Sequence, residues 1–189
     1  MQTIVWKIAL GEDWTVPAVE LVPEGATSTA IVLADAGRAA AVEEVAKLIA
    51  AGQRVLVMDV FYFGDAKISQ RDFLFALLVS AVGERPLGIQ ASQIESVARW
   101  MKGRNPEEAV SVVTVGPRTS TMALFAAAIE TEAIDELQLH DSLESLRQVI
   151  DENWTVQKYP ELFCFGLLEQ FDLPEISKLV EPRLISRVE

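Results

Sequence analysis

The sequence has few of the residues that build metal sites and disulfides. Its 189 residues include one cysteine, Cys164, and one histidine, His140. A single cysteine excludes an internal disulfide, and this pair offers too few ligands for a Cys/His metal site. The apolar neighbours of Cys164 predict a small, buried hydrophobic side chain. We therefore expect no bound metal and no cofactor.

Long apolar runs and basic residues are also scarce. No run reaches the roughly 18 residues that a membrane-spanning helix needs, and the N-terminal segment does not resemble a signal peptide. Lys and Arg total 16 against 28 Asp and Glu, which gives a formal net charge of −12. This charge predicts that neither nucleic acid nor a membrane is a partner. We expect a cytoplasmic location, or else a domain excised from a longer secreted protein.

The residues that are present predict alternating strands and helices in one domain, 1–189. Two alternating stretches, Thr3–Ala9 and Thr15–Val22, flank a Gly-Glu-Asp turn and predict an antiparallel hairpin. Apolar runs predict further strands over 30–34, 54–60, 109–115, 137–140 and 182–188. Helical spacing predicts helices over 37–51, 70–82, 89–102, 119–130, 142–152 and 174–180. This order predicts a three-layer α/β/α sandwich with a mainly parallel sheet and an N-terminal antiparallel hairpin.

Four segments in this order resemble the α/β-hydrolase superfamily, in particular its acetyl xylan esterase and dienelactone-hydrolase-like branch. The segment DAGR at 35–38 stands where that family has its His-Gly oxyanion loop, and 52–65 is similar to a family motif that includes Asp59. Residues 85–102 resemble the helix before the nucleophile strand, and 160–183 resemble the stretch that leads to an Ala-Pro-Arg-Pro strand. The resemblance implies an α/β-hydrolase-like fold that lacks the last strand and helix. It also leaves open that the chain is one domain of a longer esterase-like protein.

At the position of the nucleophile elbow, this chain departs from the pattern of the family. The family has G-x-S-x-G after the fifth strand, whereas this chain has Gly116-Pro117-Arg118-Thr119-Ser120. Arginine stays protonated and cannot attack an acyl carbon. The family's Asp and His follow later strands, and His140 precedes that region. We therefore predict a non-catalytic domain with a structural or interaction role, resembling acetyl xylan esterases but without the Ser-Asp-His triad.

One alternative is a carboxylic-ester hydrolase that uses Ser120 and His140, oriented by Asp141. Neighbouring fifth and sixth strands would bring Ser120 and His140 to the same edge of the sheet, where a serine needs its base within hydrogen-bond reach. The competing interpretation is that Thr119 or Ser120 caps a helix or lies in its first turn. In that interpretation His140 is a hydrogen-bonded residue at a strand end.

A second alternative is a module that binds a small anion through Arg118 and Arg38. Two guanidinium groups near a helix start suit a carboxylate or a phosphate, and Asp35, Asp59 and Tyr62 complete the candidate ligand-binding residues. The competing interpretation is that each arginine pairs with a nearby acid, namely Asp35, Asp59 or Asp65.

Aromatic residues and the last strand offer two candidate surfaces. The fourth strand is followed by three aromatic residues, Phe61, Tyr62 and Phe63. One interpretation is that they line a pocket or a partner surface, and the other is that they pack under a neighbouring helix. The strand at 182–188 has no covering helix after it. An open sheet edge is a pairing surface, so we expect a homodimer or a neighbouring domain there.

Overall fold

A computed structural model describes residues 1–67 and 71–188 of the chain. The strands are β1 (Gln2–Leu10), β2 (Trp14–Val22), β3 (Ser28–Ala34), β4 (Arg54–Met58), β5 (Ala109–Val115), β6 (Glu136–His140) and β7 (Leu184–Val188). The helices are α1 (Val42–Ala50), α2 (Asp72–Ala81), α3 (Pro86–Arg104), α4 (Pro117–Ile129), α5 (Gln148–Asp151) and α6 (Leu173–Val180). Short 3-10 turns cover Arg38–Ala41, Gly64–Ala66 and Pro160–Leu162.

The strands form one 7-stranded sheet in the order β1-β2-β4-β3-β5-β6-β7. β1 and β2 make an antiparallel hairpin, and β2 is also antiparallel to β4. All pairs from β4 to β7 are parallel, so the predicted mainly parallel sheet with an antiparallel hairpin is confirmed. The loops after β3, β4, β5 and β6 leave the same edge of the sheet, which is where ligands bind in folds of this kind.

Helices cover both faces of the sheet, which confirms the predicted α/β/α sandwich. α3, α4 and α6 contribute Ile94, Met122 and Ile176 to the larger core on one face. α1 covers the opposite face through Val45 and Leu48, which pack on apolar strand residues. The continuous apolar runs of the central strands are explained by this burial on both faces.

α2 and α3 differ from prediction at their starts. The predicted first residue of α2, Gln70, lies outside the described residues. α3 begins at Pro86, three residues before the predicted start at Ile89, because proline has no N–H to leave unpaired and suits the first position of a helix. No single helix within 1–67 and 71–188 is long and apolar enough to span a membrane, and only α2 and α3 together, bent by 91°, reach that length and composition.

The helix predicted over 142–152 is wrong for its first half, since only α5 is helical there. The Gln148 side-chain oxygen accepts the backbone N–H of Glu144 at 3.0 Å. Asp172 accepts the N–H of Leu146 at 2.7 Å. Side chains that bond to the backbone in this way compete with helical hydrogen bonds, so the segment turns instead of coiling.

Candidate functional site

The turn from β5 into α4 lies where the resemblance to α/β-hydrolases predicts a nucleophile elbow. Gly116 has a φ of 112° and precedes Pro117, the first residue of the helix. A Cβ atom on Gly116 would lie 2.4 Å from the Cγ atom of Asp35, so only glycine allows the two loops to approach this closely. Gly116 takes the cap position of α4 and neither hydroxyl fills it, so Thr119 and Ser120 do not cap the helix. Both residues lie in its first turn, as the other form of that interpretation predicted.

The Asp35 carboxylate binds the first turn of α4. It accepts the backbone N–H of Arg118 at 3.0 Å and that of Thr119 at 2.8 Å, and it also accepts the Thr119 hydroxyl at 2.8 Å. Burial raises the pKa of Asp35 above its usual value, and the hydrogen bonds from Thr119 and Arg118 offset part of that rise. A carboxylate at a helix N-terminus is stabilised by the unpaired N–H groups and by the helix dipole.

Arg118, which the resemblance places at the nucleophile position, forms a two-pronged ion pair with Glu161. Its Nε and Nη2 atoms lie 2.5 and 2.9 Å from the two carboxylate oxygens. The side chains of Arg118 and Glu161 are only 12% and 1% exposed, so water screens this pair little. The guanidinium also lies 4.2 Å from the centre of the Phe63 ring. The acid that pairs with Arg118 comes from the loop after Tyr159, and the sequence prediction missed it.

Arg38 is paired with acids of the loop after β4. Its backbone N–H donates to Asp59 at 2.9 Å, its Nε atom lies 3.0 Å from the same carboxylate, and its Nη2 atom pairs with Asp65. The predicted pairing with Asp59 and Asp65 therefore describes Arg38 well. Gly64 permits this arrangement, because a Cβ atom there would lie 2.2 Å from the Asp59 carboxylate. Arg38 and Arg118 are thus both engaged with acids.

The Ser120 hydroxyl bonds to other groups than the His140 imidazole. Its Oγ atom lies 2.8 Å from the Thr114 hydroxyl and donates to the backbone carbonyl of His140 at 3.1 Å. Ser120 is 1% exposed. Ser120, at the start of α4, and His140, at the end of β6, are therefore close, but the contact joins the serine hydroxyl to the main-chain oxygen of His140.

The His140 imidazole points to α1 instead. Its Nε2 atom lies 3.9 Å from a carboxylate oxygen of Glu44, and it has no hydrogen-bond partner among the described residues. Asp141 has a φ of 54° and donates its backbone N–H to Val188 at 3.0 Å. His140 and Asp141 therefore end β6 beside α1 and β7, with the imidazole turned away from the Ser120 hydroxyl.

The aromatic loop after β4 is buried and fixed by two glutamines of α3. Phe61 donates its N–H to Gln93 at 2.6 Å, and its carbonyl accepts from Gln90 at 3.1 Å. Tyr62, with a φ of 70°, is 5% exposed and stacks on Phe75 with ring centres 4.6 Å apart. These contacts favour the core-packing interpretation of the three aromatic residues.

The space left beside Arg118 is too small for a substrate. A cavity of about 10 Å³ lies between Tyr62, Phe75, Arg118 and Glu161. Substrate pockets usually measure roughly 300–1,000 Å³, and about 10–15 Å³ is the least that holds one water molecule. Among residues 1–67 and 71–188, no group of three or more His, Cys, Asp or Glu side chains is arranged to hold a metal ion.

Sequence reasoning missed Glu161, Gln90 and Gln93. Gln90 precedes Ile94 by four residues and Gln93 precedes Val97 by four residues, so both glutamines interrupt the apolar face of α3. A polar residue on such a face must find a buried partner. That signal was available in the sequence. Glu161 follows Pro160 in a segment without periodicity, and nothing in the chain order connects it with Arg118, 43 residues earlier.

Comparison with known proteins finds similar folds among solved structures but no matching protein family. No protein-family model and no curated protein matches the sequence. A candidate acetyl xylan esterase from Bacteroides fragilis is similar over 100% of this chain and 62% of its own length, with a TM-score of 0.71 and 14% identity. An esterase from Pyrococcus furiosus is similar over 96% of this chain and 63% of its own, with a TM-score of 0.63 and 14% identity.

A dienelactone hydrolase from Anabaena variabilis is 21% identical over 72% of this chain, with a TM-score of 0.52. The chain spans less than two thirds of each of these three structures. It covers 62% of the Bacteroides protein, 63% of the Pyrococcus protein and 62% of the Anabaena protein. Within the described residues, the sheet runs from β1 at one edge to β7 at the other. The chain therefore has an α/β-hydrolase-like fold, similar to that of acetyl xylan esterases and dienelactone hydrolases.

Proposed function

We propose that this chain is a non-catalytic α/β-hydrolase-like domain with a structural or interaction role, resembling acetyl xylan esterases but lacking the Ser-Asp-His triad. The observation that carries the proposal is the buried ion pair of Arg118 with Glu161 at the nucleophile position. A guanidinium is a cation without a lone pair for attack, and this one is held by both carboxylate oxygens. An acyl-enzyme cannot form there.

The electrophilic half of an esterase site is also occupied. In hydrolases with a nucleophile elbow, the backbone N–H of the residue after the nucleophile stabilises the oxyanion. The corresponding residue in this chain is Thr119, and its N–H is bonded to Asp35. A substrate carbonyl would have to displace a carboxylate that also binds Arg118 N and the Thr119 hydroxyl. This internal anion supports the absence of acyl transfer.

The two alternatives receive less support. A Ser120 esterase needs its Oγ atom beside the base, but that atom bonds to Thr114 and to the carbonyl of His140. An anion-binding module needs guanidinium groups that face a ligand, but Arg38 and Arg118 face carboxylates of the chain itself.

The test is hydrolysis of p-nitrophenyl acetate by the purified 189-residue chain. Ser120→Ala is the matched control for the alternative catalytic serine, and Arg118→Ser restores a serine at the elbow. We expect all three proteins to match the buffer rate, while a known esterase in the same assay shows turnover. Turnover by the unaltered chain that disappears in Ser120→Ala would refute the proposal and establish an esterase.

A further inference from the structure

The small cavity beside Arg118 is lined by two residues whose polar atoms have no partners. These residues are Tyr62 and Gln90, which are 5% and 1% exposed. Neither the Tyr62 hydroxyl nor the Gln90 Oε1 atom has a hydrogen-bond partner among the described residues. Buried polar groups are almost always hydrogen-bonded, either to protein or to ordered water. The cavity is therefore a candidate binding site for a small polar molecule.

Other contacts hold both side chains in place. The Gln90 Nε2 atom donates to the carbonyl oxygen of Phe61 at 3.1 Å. This hydrogen bond assigns the amide nitrogen to Phe61, so the amide oxygen is the atom left without a partner. The Tyr62 ring stacks on Phe75, with ring centres 4.6 Å apart and planes inclined by 30°. Because the amide and the ring are both fixed, a partner for their polar atoms must enter the cavity.

The rest of the cavity wall supplies no such partner. Most of its side chains are apolar, namely those of Phe61, Phe75, Ala76, Pro86 and Pro160. The two prolines have no backbone N–H to donate. The charged residues of the wall, Arg118 and Glu161, bind each other through two hydrogen bonds.

Size and charge together select the occupant. The cavity of about 10 Å³ is close to the smallest volume that holds one water molecule, so an organic ligand is too large. A cation would meet the Arg118 guanidinium, and an anion would meet the Glu161 carboxylate and the Gln90 amide oxygen, so either ion would be repelled. A neutral molecule that both donates and accepts hydrogen bonds suits the Tyr62 hydroxyl and the Gln90 oxygen.

We propose that one water molecule is bound in this cavity, where it accepts the Tyr62 hydroxyl and donates to the Gln90 Oε1 atom. The Glu161 carboxylate has about four lone-pair sites and accepts two bonds from Arg118, so it is the acceptor for the second hydrogen of the water. Three partners is the usual number for a buried water. The water thus joins the loop after β4, helix α3 and the segment that carries Glu161. The inference goes beyond the proposed function and does not depend on it.

The variant Tyr62→Phe distinguishes a hydrated cavity from a dry one by the sign of its effect on stability. In a dry cavity the hydroxyl is buried without a partner, so its removal should raise the urea midpoint. In a hydrated cavity its removal breaks a hydrogen bond, and we expect the midpoint to fall by roughly 0.5 M. Tyr159→Phe is the matched control, since Tyr159 is the second of two tyrosines and is only partly buried. We expect its midpoint to stay close to that of the unaltered chain.

A crystal structure of the unaltered chain, at a resolution that shows ordered water, tests the site directly. We expect a water molecule within about 2.5–3.2 Å of both the Tyr62 hydroxyl and the Gln90 Oε1 atom. A cavity without water would overturn the proposal, and so would a midpoint that rises or stays unchanged in Tyr62→Phe, or one that falls equally in Tyr159→Phe. The ester assay tests the proposed function separately, because turnover by the chain would refute the non-catalytic role whether or not the water is bound.

Discussion

Replacement of Glu161 by glutamine tests whether the ion pair at the elbow stabilises the fold. Glutamine keeps the shape of the side chain and removes the charge that pairs with Arg118. The carboxylate is 1% exposed and accepts two bonds from the guanidinium at 2.5 and 2.9 Å. Breaking a buried pair from one side costs about 3–5 kcal/mol. The ring of Phe63 still contacts the cation, and we therefore expect a loss of about 2–4 kcal/mol.

Urea denaturation followed by tryptophan fluorescence measures this loss. With a slope of about 2 kcal/mol per molar urea, a loss of about 3 kcal/mol lowers the midpoint by about 1.5 M. Arg118→Met combined with Glu161→Gln provides the control, because it removes both charges. We expect the double variant to be about 1–3 kcal/mol more stable than the sum of the single losses predicts. A change below about 0.5 kcal/mol for Glu161→Gln, or strict additivity in the cycle, would refute the reasoning.

Two further changes probe the contact between Asp35 and the elbow. Gly116→Ala should lower the free energy of unfolding by roughly 3 kcal/mol or more, because the φ of 112° is strained for alanine and the added Cβ would lie 2.4 Å from Asp35. Gly52→Ala is the control, since Gly52 has a φ of 79° with open space around it, and it should cost only roughly 1–2 kcal/mol. Equal losses in urea denaturation would contradict this prediction. Asp35→Asn should lose stability at every pH. Burial raises the pKa of Asp35 above the unfolded value of 3.8. Between these two pKa values the folded state binds more protons than the unfolded state, so the contribution of Asp35 to the free energy of unfolding falls as pH rises. The deficit of Asp35→Asn should therefore shrink between pH 3.8 and the raised folded pKa, and a deficit that grows there would reverse the sign of the argument.

The fold could be predicted because its signals are local. Buried parallel strands appear as continuous apolar runs, and 109–115 matches β5 to the residue. The turns between them carry glycine or proline. The error at 142–152 came from contacts that local patterns do not contain, since Asp172 binds Ser145 and Leu146 from 26 or 27 residues away. Asp172 and Glu175 form a capping box at α6, and this signal can be read in the sequence.

The candidate site could be predicted only in part. The position of Arg118 follows from the elbow pattern, and the pairing of Arg38 with Asp59 joins loops after neighbouring strands. The partner of Arg118 could not be found in this way. Glu161 lies in an irregular segment, and long-range placement of such a segment depends on tertiary packing, which composition and periodicity do not specify.

Arg118 is bound to two acids, Glu161 and Asp35, so we expect that a serine at position 118 would not make the chain an esterase. In Arg118→Ser, Glu161 would stay buried without the cation that neutralises it, and an unpaired buried carboxylate is costly. Asp35 would still bind the N–H groups of residues 118 and 119, which a serine esterase needs for its oxyanion. A negative charge beside a developing oxyanion raises the barrier that the site would have to lower. Arg118 thus links Glu161, through its side chain, to Asp35, through its backbone N–H, and under the proposed function we expect this arrangement to prevent acyl transfer at this position.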